Sequence, residues 1–585
     1  MNRLTQKAYP DSTAVNYTYD NDSRLTQVTD PTGTYQFTFD NMGRLTNTTT
    51  GYAFLTGRNF TTSYGYDAGS NRTGFTDPEN GATNYVYDTL NRLQTLTPPA
   101  AFSGAGNFGF SYDALSRRTQ MTRPNGLKSV YAYDNLSRLL SVLHQAGTST
   151  LDGASYTVDN AGNRTSKTDQ LAGVTSNYTY DPIYELTQVT QATTTAESYT
   201  YDAVGNRLSS LSVSPYNVNT SNELTSTPST TYTYDSNGNT QTKVVGTNTT
   251  NYSWDFENRL SSVTLPGTGG TITFKYDPFG RRIYKSSSTA TSIYAYDGDN
   301  LIEETNSAGG VVARYSQGVN VDEPLAMLRS GATSFYNTDG LGSVTSLSNT
   351  AGTLAQTYTF DSFGKQTAST GSLTNPFQYT AREFDTETGL YYDRARYFDP
   401  TTGRFLSEDP LGFGGDTADF YGYAYGNPTN FIDPFGLTGA GTATAPAPAP
   451  PAPPPVKAPP LPQPEPPLPV TQPPPSWWPG LGAIFGRGAI AGALELLFPP
   501  ATARDEDLLP KNKPKCDRKD DPCYIQYLED AAWCGEVFTD DEQYEKCMGI
   551  AELNWDRCKK GQPRIQPDPR KYPKPKKSPA RKPNE

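Results

Sequence analysis

Two Asp-Pro-x-Gly elements, Asp409 to Gly412 and Asp433 to Gly436, stand behind a dense run of aromatic and arginine residues that begins at Tyr391. Two carboxylates sharing a site cannot both ionise easily. One then holds a proton while the other deprotonates a water, an arrangement able to hydrolyse a peptide near neutral or acidic pH. The same dipeptides are also ordinary turn starters, with Asp accepting backbone N–H groups and Pro fixing φ. From the residues alone both readings stand. Arg394, Arg396 and Arg404 can stabilise a carboxylate or an oxyanion, and Arg404 is taken with Asp409 and Asp433 as the catalytic set; alternatively the arginines pair structurally with Asp393, Asp399 and Glu408. The single histidine, His144, lies far upstream, which removes Ser-His and Cys-His mechanisms from this region.

A second cluster lies near the C-terminus. All five cysteines fall between Cys516 and Cys558. Cys523 and Cys534 are eleven residues apart, as are Cys547 and Cys558, close to three helical turns, so each pair shares a helix face. A capping box, Thr539 to Glu542, precedes the second helix. Antiparallel docking would join Cys523 to Cys558 and Cys534 to Cys547, a stapled α-hairpin that implies an oxidising compartment and leaves Cys516 over. Zinc is the competing reading, but the segment has neither a Cys-x-x-Cys nor a histidine. No metal site and no cofactor is expected.

The elements that must position the aspartates are repetitive. An aromatic residue followed by Asp recurs from Tyr19-Asp20 and Phe39-Asp40 to Tyr276-Asp277 and Tyr296-Asp297, at a mean spacing of about 23 residues, inside the range of stacked repeat architectures. Most copies continue into Gly or Asn and then Arg-Leu, as in Asp40-Asn41-Met42-Gly43-Arg44-Leu45. Each copy reads as a hairpin: alternating Tyr-x-Tyr enters, Asp and Gly or Asn make the turn, and Arg-Leu leaves. The tyrosine rows pack between strands or form a sugar-stacking surface.

The array resembles the YD repeats of the RHS family of bacterial polymorphic toxins, of Tc-toxin C components and of teneurins, over about residues 10 to 437. The resemblance implies a mainly β fold, a hairpin array spiralling into a hollow shell around its own C-terminal segment. It is most specific from Phe377 to Leu437, which is similar to the RHS core module through Ala381 to Asp385, Gly389 to Tyr397, Gly403 to Pro410 and Asp433 to Leu437. Two departures stand out: Gly340 occupies a position often held by His, and Asp419-Phe420 replaces the common Asn-Leu. In that family the module plugs the shell and precedes a self-cleavage point. Carried over, the scissile bond is Leu437-Thr438, with Asp409 and Asp433 as the aspartate pair.

The expected organisation is a repeat array over 1–335, a core module over 336–437, a Pro-rich linker over 438–475, a Gly-rich apolar segment and connector over 476–510, the cysteine hairpin over 511–560 and a basic Pro-rich tail over 561–585. With 35% hydrophobic residues, 51 Gly and 40 Tyr, the 585-residue chain reads as many short strands and turns, and its net charge of -12 names no partner. No apolar signal segment opens the chain. Without a histidine after Leu437, HNH-type nucleases, zinc deaminases and His-dependent ribonucleases are excluded for the last segment. Two functions follow. One is a secreted or cell-surface toxin that encloses its C-terminal fragment and frees it by aspartate-dependent cleavage, served by an immunity protein and a secretion apparatus. The other is a structural or adhesive surface protein with a C-terminal binding module. Contact of the last segment with nucleic acid or membrane, and of the array with carbohydrate, stays open.

Overall fold

The computed structural model describes residues 3–102, 106–415 and 418–441. The Pro-rich linker beyond Gly441, the Gly-rich segment, the hairpin expected at Cys523, Cys534, Cys547 and Cys558, and the basic tail lie outside the described residues.

The repeat turn sets the local structure. At Asp40 the backbone N–H donates to the Arg44 carbonyl at 2.9 Å, and Gly43, at φ +80°, closes the turn. One Asp40 oxygen accepts from the N–H groups of Met42 and Arg44; the other accepts Arg44 Nε at 2.6 Å. Arg44 Nη1 then reaches forward to the carbonyl of Asp67, the next turn, at 2.9 Å. The guanidinium lies 4.9 Å over the Tyr66 ring, and the Tyr66 hydroxyl donates back to the Leu45 carbonyl. Arg92 and Arg117 repeat the pattern. Tyr, Asp and Arg of the signature are thus one hydrogen-bonded rung, and in these rungs the tyrosine faces and hydroxyls are engaged within the sheet.

Successive hairpins pair antiparallel, each strand with the next. A 19-stranded sheet runs from Gln6–Ala8 to Arg207–Ser210, and a 16-stranded sheet from Asn217–Val218 to Gln366–Thr370. The second sheet therefore continues past residue 335, and strands assigned from sequence to the core module complete the array. The two sheets meet in ascending order: Tyr52 Oη donates to the Tyr294 carbonyl, Arg72 pairs with Asp297, Arg118 with Glu323 and Lys167 with Asp339. Tyr35, Phe37, Leu96 and Phe108 of the first share an apolar cluster with Phe279, Ile283, Ile293 and Phe335 of the second. At the turn position after Asp-x, Leu90 and Leu115 of the first sheet are each 65% exposed, whereas Phe279 and Phe363 of the second are 7% and 2% exposed. Phe279 sits edge-on to Tyr35 and Phe37, and Phe363 to Tyr199. These turns are where the second sheet grips the first.

His144 is one of these contacts. Its Nε2 bonds the Thr338 carbonyl at 2.9 Å, and its Nδ1 lies 2.8 Å from Ser129 Oγ. Burial and the neighbouring Arg123 push it down to about 4, so it is neutral and structural. A Cβ at Gly340 would lie 2.9 Å from both Leu139 Cδ2 and the Tyr156 hydroxyl, so a side chain here would have to push those two aside.

Downstream, Glu383–Asp385, Leu390–Asp393, Arg396–Asp399 and Arg404–Phe405 form a four-stranded sheet held by both arrays. Arg207 Nη1 donates to the Thr402 carbonyl at 2.8 Å, the Thr240 N–H donates to the Leu406 carbonyl, Lys243 pairs with Asp399, and Tyr276 and Tyr397 meet through their hydroxyls. Arg282, fully buried, pairs with Glu383 at 2.8 Å and with Asp385. Replacing Arg282 by Gln leaves two buried carboxylates without this cation and should cost about 3–5 kcal/mol, read as a lower urea midpoint.

Candidate active site

The short strand Arg396–Asp399 pairs with Leu390–Asp393 across a two-residue turn in which Asp393 faces Arg396 and Arg394 takes φ +57°. This turn grips the chain ahead of Leu437. Arg394 Nη1 donates to the Pro434 carbonyl, the Ala395 N–H to the Phe435 carbonyl at 3.1 Å, and Arg396 Nε to the Gly436 carbonyl at 2.5 Å. Three consecutive carbonyls are therefore caught by three consecutive residues. Asp322, from the array, receives the guanidinium of Arg394 and that of Arg382 and fixes the turn from outside.

Arg396 also joins the aspartates. Its Nη2 lies 3.0 Å from Asp409 Oδ2 and 3.1 Å from Asp433 Oδ2, and its face covers Phe405 at 3.7 Å. Arg396, Asp409 and Asp433 are all buried. Nη1 donates to the Phe420 carbonyl, which also accepts the Asp409 N–H.

Each aspartate divides its oxygens. Asp409 Oδ1 accepts from the Leu411 N–H at 2.8 Å, an ordinary turn cap. Asp433 Oδ1 accepts from the N–H groups of Leu437 at 2.9 Å and Thr438 at 3.2 Å. Turn starter and paired carboxylate are thus the same residues, one oxygen for each role. On the other side of the Leu437-Thr438 bond, a Cβ at Gly415 would stand 2.8 Å from Asp409 Oδ2 and 3.1 Å from the Leu437 carbonyl oxygen. Glycine there leaves Asp409 and that carbonyl facing one small space. Beyond the bond, Ala440–Gly441 pairs with Phe431–Ile432, and the Tyr425 hydroxyl donates to the Gly439 carbonyl.

Burial raises both aspartates above the usual carboxylate range and Arg396 pulls them back; Asp433 adds to the rise of Asp409, while the N–H groups of Leu437 and Thr438 hold Asp433 down. Both carboxyls are thereby biased towards keeping a proton.

Of the residues named from sequence, Asp409, Asp433, Leu437 and Thr438 come together. Arg404 does not join them. Its guanidinium is 3.2 Å from Asp419 and reaches Asn206 Oδ1 and the Asn222 carbonyl, at the break between the two arrays. The acidic residue at 419 is what holds it there. Nor do the other sequence pairings form: Arg394 meets Asp322, while Asp399 meets Lys243. Arg396, one of the three arginines named from the sequence as able to stabilise a carboxylate, does join them, and Gly415 and the Phe420 carbonyl complete the arrangement. No spacing in the sequence singled out Gly415 or Phe420, since their partners lie in other turns.

The Teneurin YD-shell family matches residues 163–414, and the RHS Repeat family matches residues 2–35 and 21–53. The repeats of this chain are of the RHS/YD type. It is 34% identical over 273 residues to the tRNA3(Ser)-specific nuclease WapA of Bacillus spizizenii, a match covering 44% of this chain and 12% of that protein. It is 28% identical over 308 residues to the double-stranded DNA deaminase toxin A of Burkholderia cenocepacia, covering 47% of this chain and 21% of that one. The chain spans only a small part of the length of these relatives. A structure of the Photorhabdus luminescens Tc holotoxin pore matches with a TM-score of 0.61 at 16% identity, over 74% of this chain and 25% of that chain, a likeness of fold. The array is thus a YD-repeat β fold of the kind that builds Tc-toxin shells.

The tight seat of Gly436 gives a test of the grip. At φ +64° a Cβ there would lie 2.4 Å from the Asp393 carbonyl, whereas Gly412, at φ +54°, has nothing within 4 Å. Gly412→Ala should cost only the strain of its backbone, about 1 kcal/mol, and Gly436→Ala at least about 2 kcal/mol, compared by urea unfolding.

Proposed function

We propose that the chain is the shell and release portion of an RHS-type polymorphic toxin, which frees its segment after Leu437 by aspartate-dependent self-cleavage. The observation that carries this reading is the meeting of Asp409 and Asp433 on one buried guanidinium, on either side of the Leu437-Thr438 bond.

The chemistry follows from position. Asp433, which accepts the Thr438 N–H, stands on the leaving-group side; Asp409 stands towards the Leu437 carbonyl. In the cleavage-competent form Asp409 holds the shared proton and hydrogen-bonds the carbonyl oxygen, while ionised Asp433 takes a proton from a water. The water oxygen adds to the carbonyl carbon, Asp433 passes its proton to the Thr438 nitrogen, and the carbon–nitrogen bond breaks. The products are a Leu437 carboxyl and a Thr438 amine, and Asp409 recovers its proton as the tetrahedral centre collapses. Arg396 holds both carboxyls in place throughout. The carbonyl grip on Pro434 to Gly436 fixes the peptide, so the reaction is intramolecular.

The names of the relatives, a tRNA nuclease and a DNA deaminase toxin, support the toxin class, while the residue inventory after Leu437 argues against a zinc deaminase of the histidine type. In this reading the cargo is a different, unassigned effector, enclosed by the shell and matched by an immunity protein. A secretion apparatus exports it.

The test is the intact mass of the chain under denaturing conditions. The parent should appear split after Leu437. Asp433→Asn, Asp409→Asn and Arg396→Gln should remain whole, as should Gly415→Ala, whose methyl wedges between Asp409 and the carbonyl. Arg404→Gln should still split. A parent that stays whole defeats the reading and favours a structural surface protein.

A further inference from the structure

A third acid borders this site. Asp393 begins the turn that grips Pro434 to Gly436, and it is 1% exposed. Its Oδ1 has no hydrogen-bond partner among the described residues. The nearest cation is Arg382, whose Nε stands 3.6 Å away, too far for a good bond, and whose guanidinium is committed to the Tyr392 carbonyl and to Asp322. The groups that face Asp393 are Arg382, Arg394 and Arg396 on the positive side, Asp322 and Asp433 on the negative side, and the hydroxyls of Tyr391 and Tyr423. Arg394 is spent on Asp322 and on the Pro434 carbonyl. With Asp322 counted, four carboxyls face three guanidiniums, those of Arg382, Arg394 and Arg396, and Asp393 is the carboxyl without a close ion pair. Three positive charges cannot neutralise four carboxylates in a buried site.

We infer that Asp393 is a positioning residue of the cleavage centre: its uncharged carboxyl leaves the Arg396 guanidinium to Asp409 and Asp433 alone. This inference rests on the proposed self-cleavage. Burial raises Asp393 to about 8, with Asp433 adding to the shift and Arg382 opposing it. Below that pH the carboxyl is protonated, and Arg396 bridges the pair. Above it, a third carboxylate competes for Arg396 and repels Asp433, the bridge loosens, and the peptide bond loses its two acids. The site thus carries its own alkaline limit.

The experiment follows cleavage by mass after the full chain, purified unfolded, is diluted into buffers from about pH 6 to about pH 10. The parent rate should fall as the pH passes about 8. In Asp393→Asn the alkaline fall should move up by about one pH unit or more. Arg382→Gln, which removes the cation that holds Asp393 down, should move the fall in the same direction with Asp393 still present. That second variant decides the matter if Asp393→Asn does not regain its near-ultraviolet circular dichroism. Cleavage with the same pH profile in parent and folded variants overturns the role of Asp393 alone. No cleavage of the parent at any pH overturns the self-cleavage reading and this one with it.

Discussion

The bond between an aspartate and the arginine four residues on is the interaction from which the rest of the array follows. The carboxylate closes its own turn with one oxygen and holds the guanidinium with the other, and the guanidinium then reaches the carbonyl of the next turn. Each hairpin is thereby tied to its neighbour at a fixed offset, and the offset propagates. A single hairpin in water would be marginal. Joined through charge-assisted bonds and tyrosine faces, the hairpins behave as one continuous strip, stabilised by nearest neighbours as in other repeat proteins.

The strip is interrupted once, between Ser210 and Asn217, and there the core module enters. Arg207 holds the Thr402 carbonyl, and Arg404 lies between the turns at Asn206 and Asn222. The module thus occupies the joint between the two sheets. Because Arg404 is spent on that joint, the arginine beside the aspartates is a different one. The burial that the arrays provide also gives Asp409 and Asp433 their raised proton affinity; the same dipeptides on an exposed loop would be turn caps and nothing more.

The site is a modification of the repeat turn. Asp409 caps the Leu411 N–H much as Asp40 caps that of Met42. In the array the second oxygen goes to an arginine of the same turn. In the module no arginine stands four residues after Asp409 or Asp433, where Phe413 and Leu437 are found. Their second oxygens are free to meet a guanidinium from elsewhere, and both meet Arg396. A structural motif becomes a candidate reaction centre by losing its local partner.

The β array, its turn chemistry and the approximate place of the Asp-Pro pair were legible in the chain, because they depend on short-range facts: alternation, a capping carboxylate, a residue that tolerates positive φ. Even Ser at the positive-φ position, as at Ser116 and Ser137, fits the same turn. The assignment of Arg404, the pairing of Arg394 and the end of the array near residue 335 were not legible. Each depends on which distant turn a long side chain or a strand edge meets, and many partners of equal chemistry compete for that place. By itself the sequence determined that aspartates would cap turns and that the turns would stack. Only the tertiary structure decided that Asp409, Asp433 and Arg396 would share one buried point beside the Leu437-Thr438 bond, since burial and the crossing of three separate turns are properties of the packed chain alone.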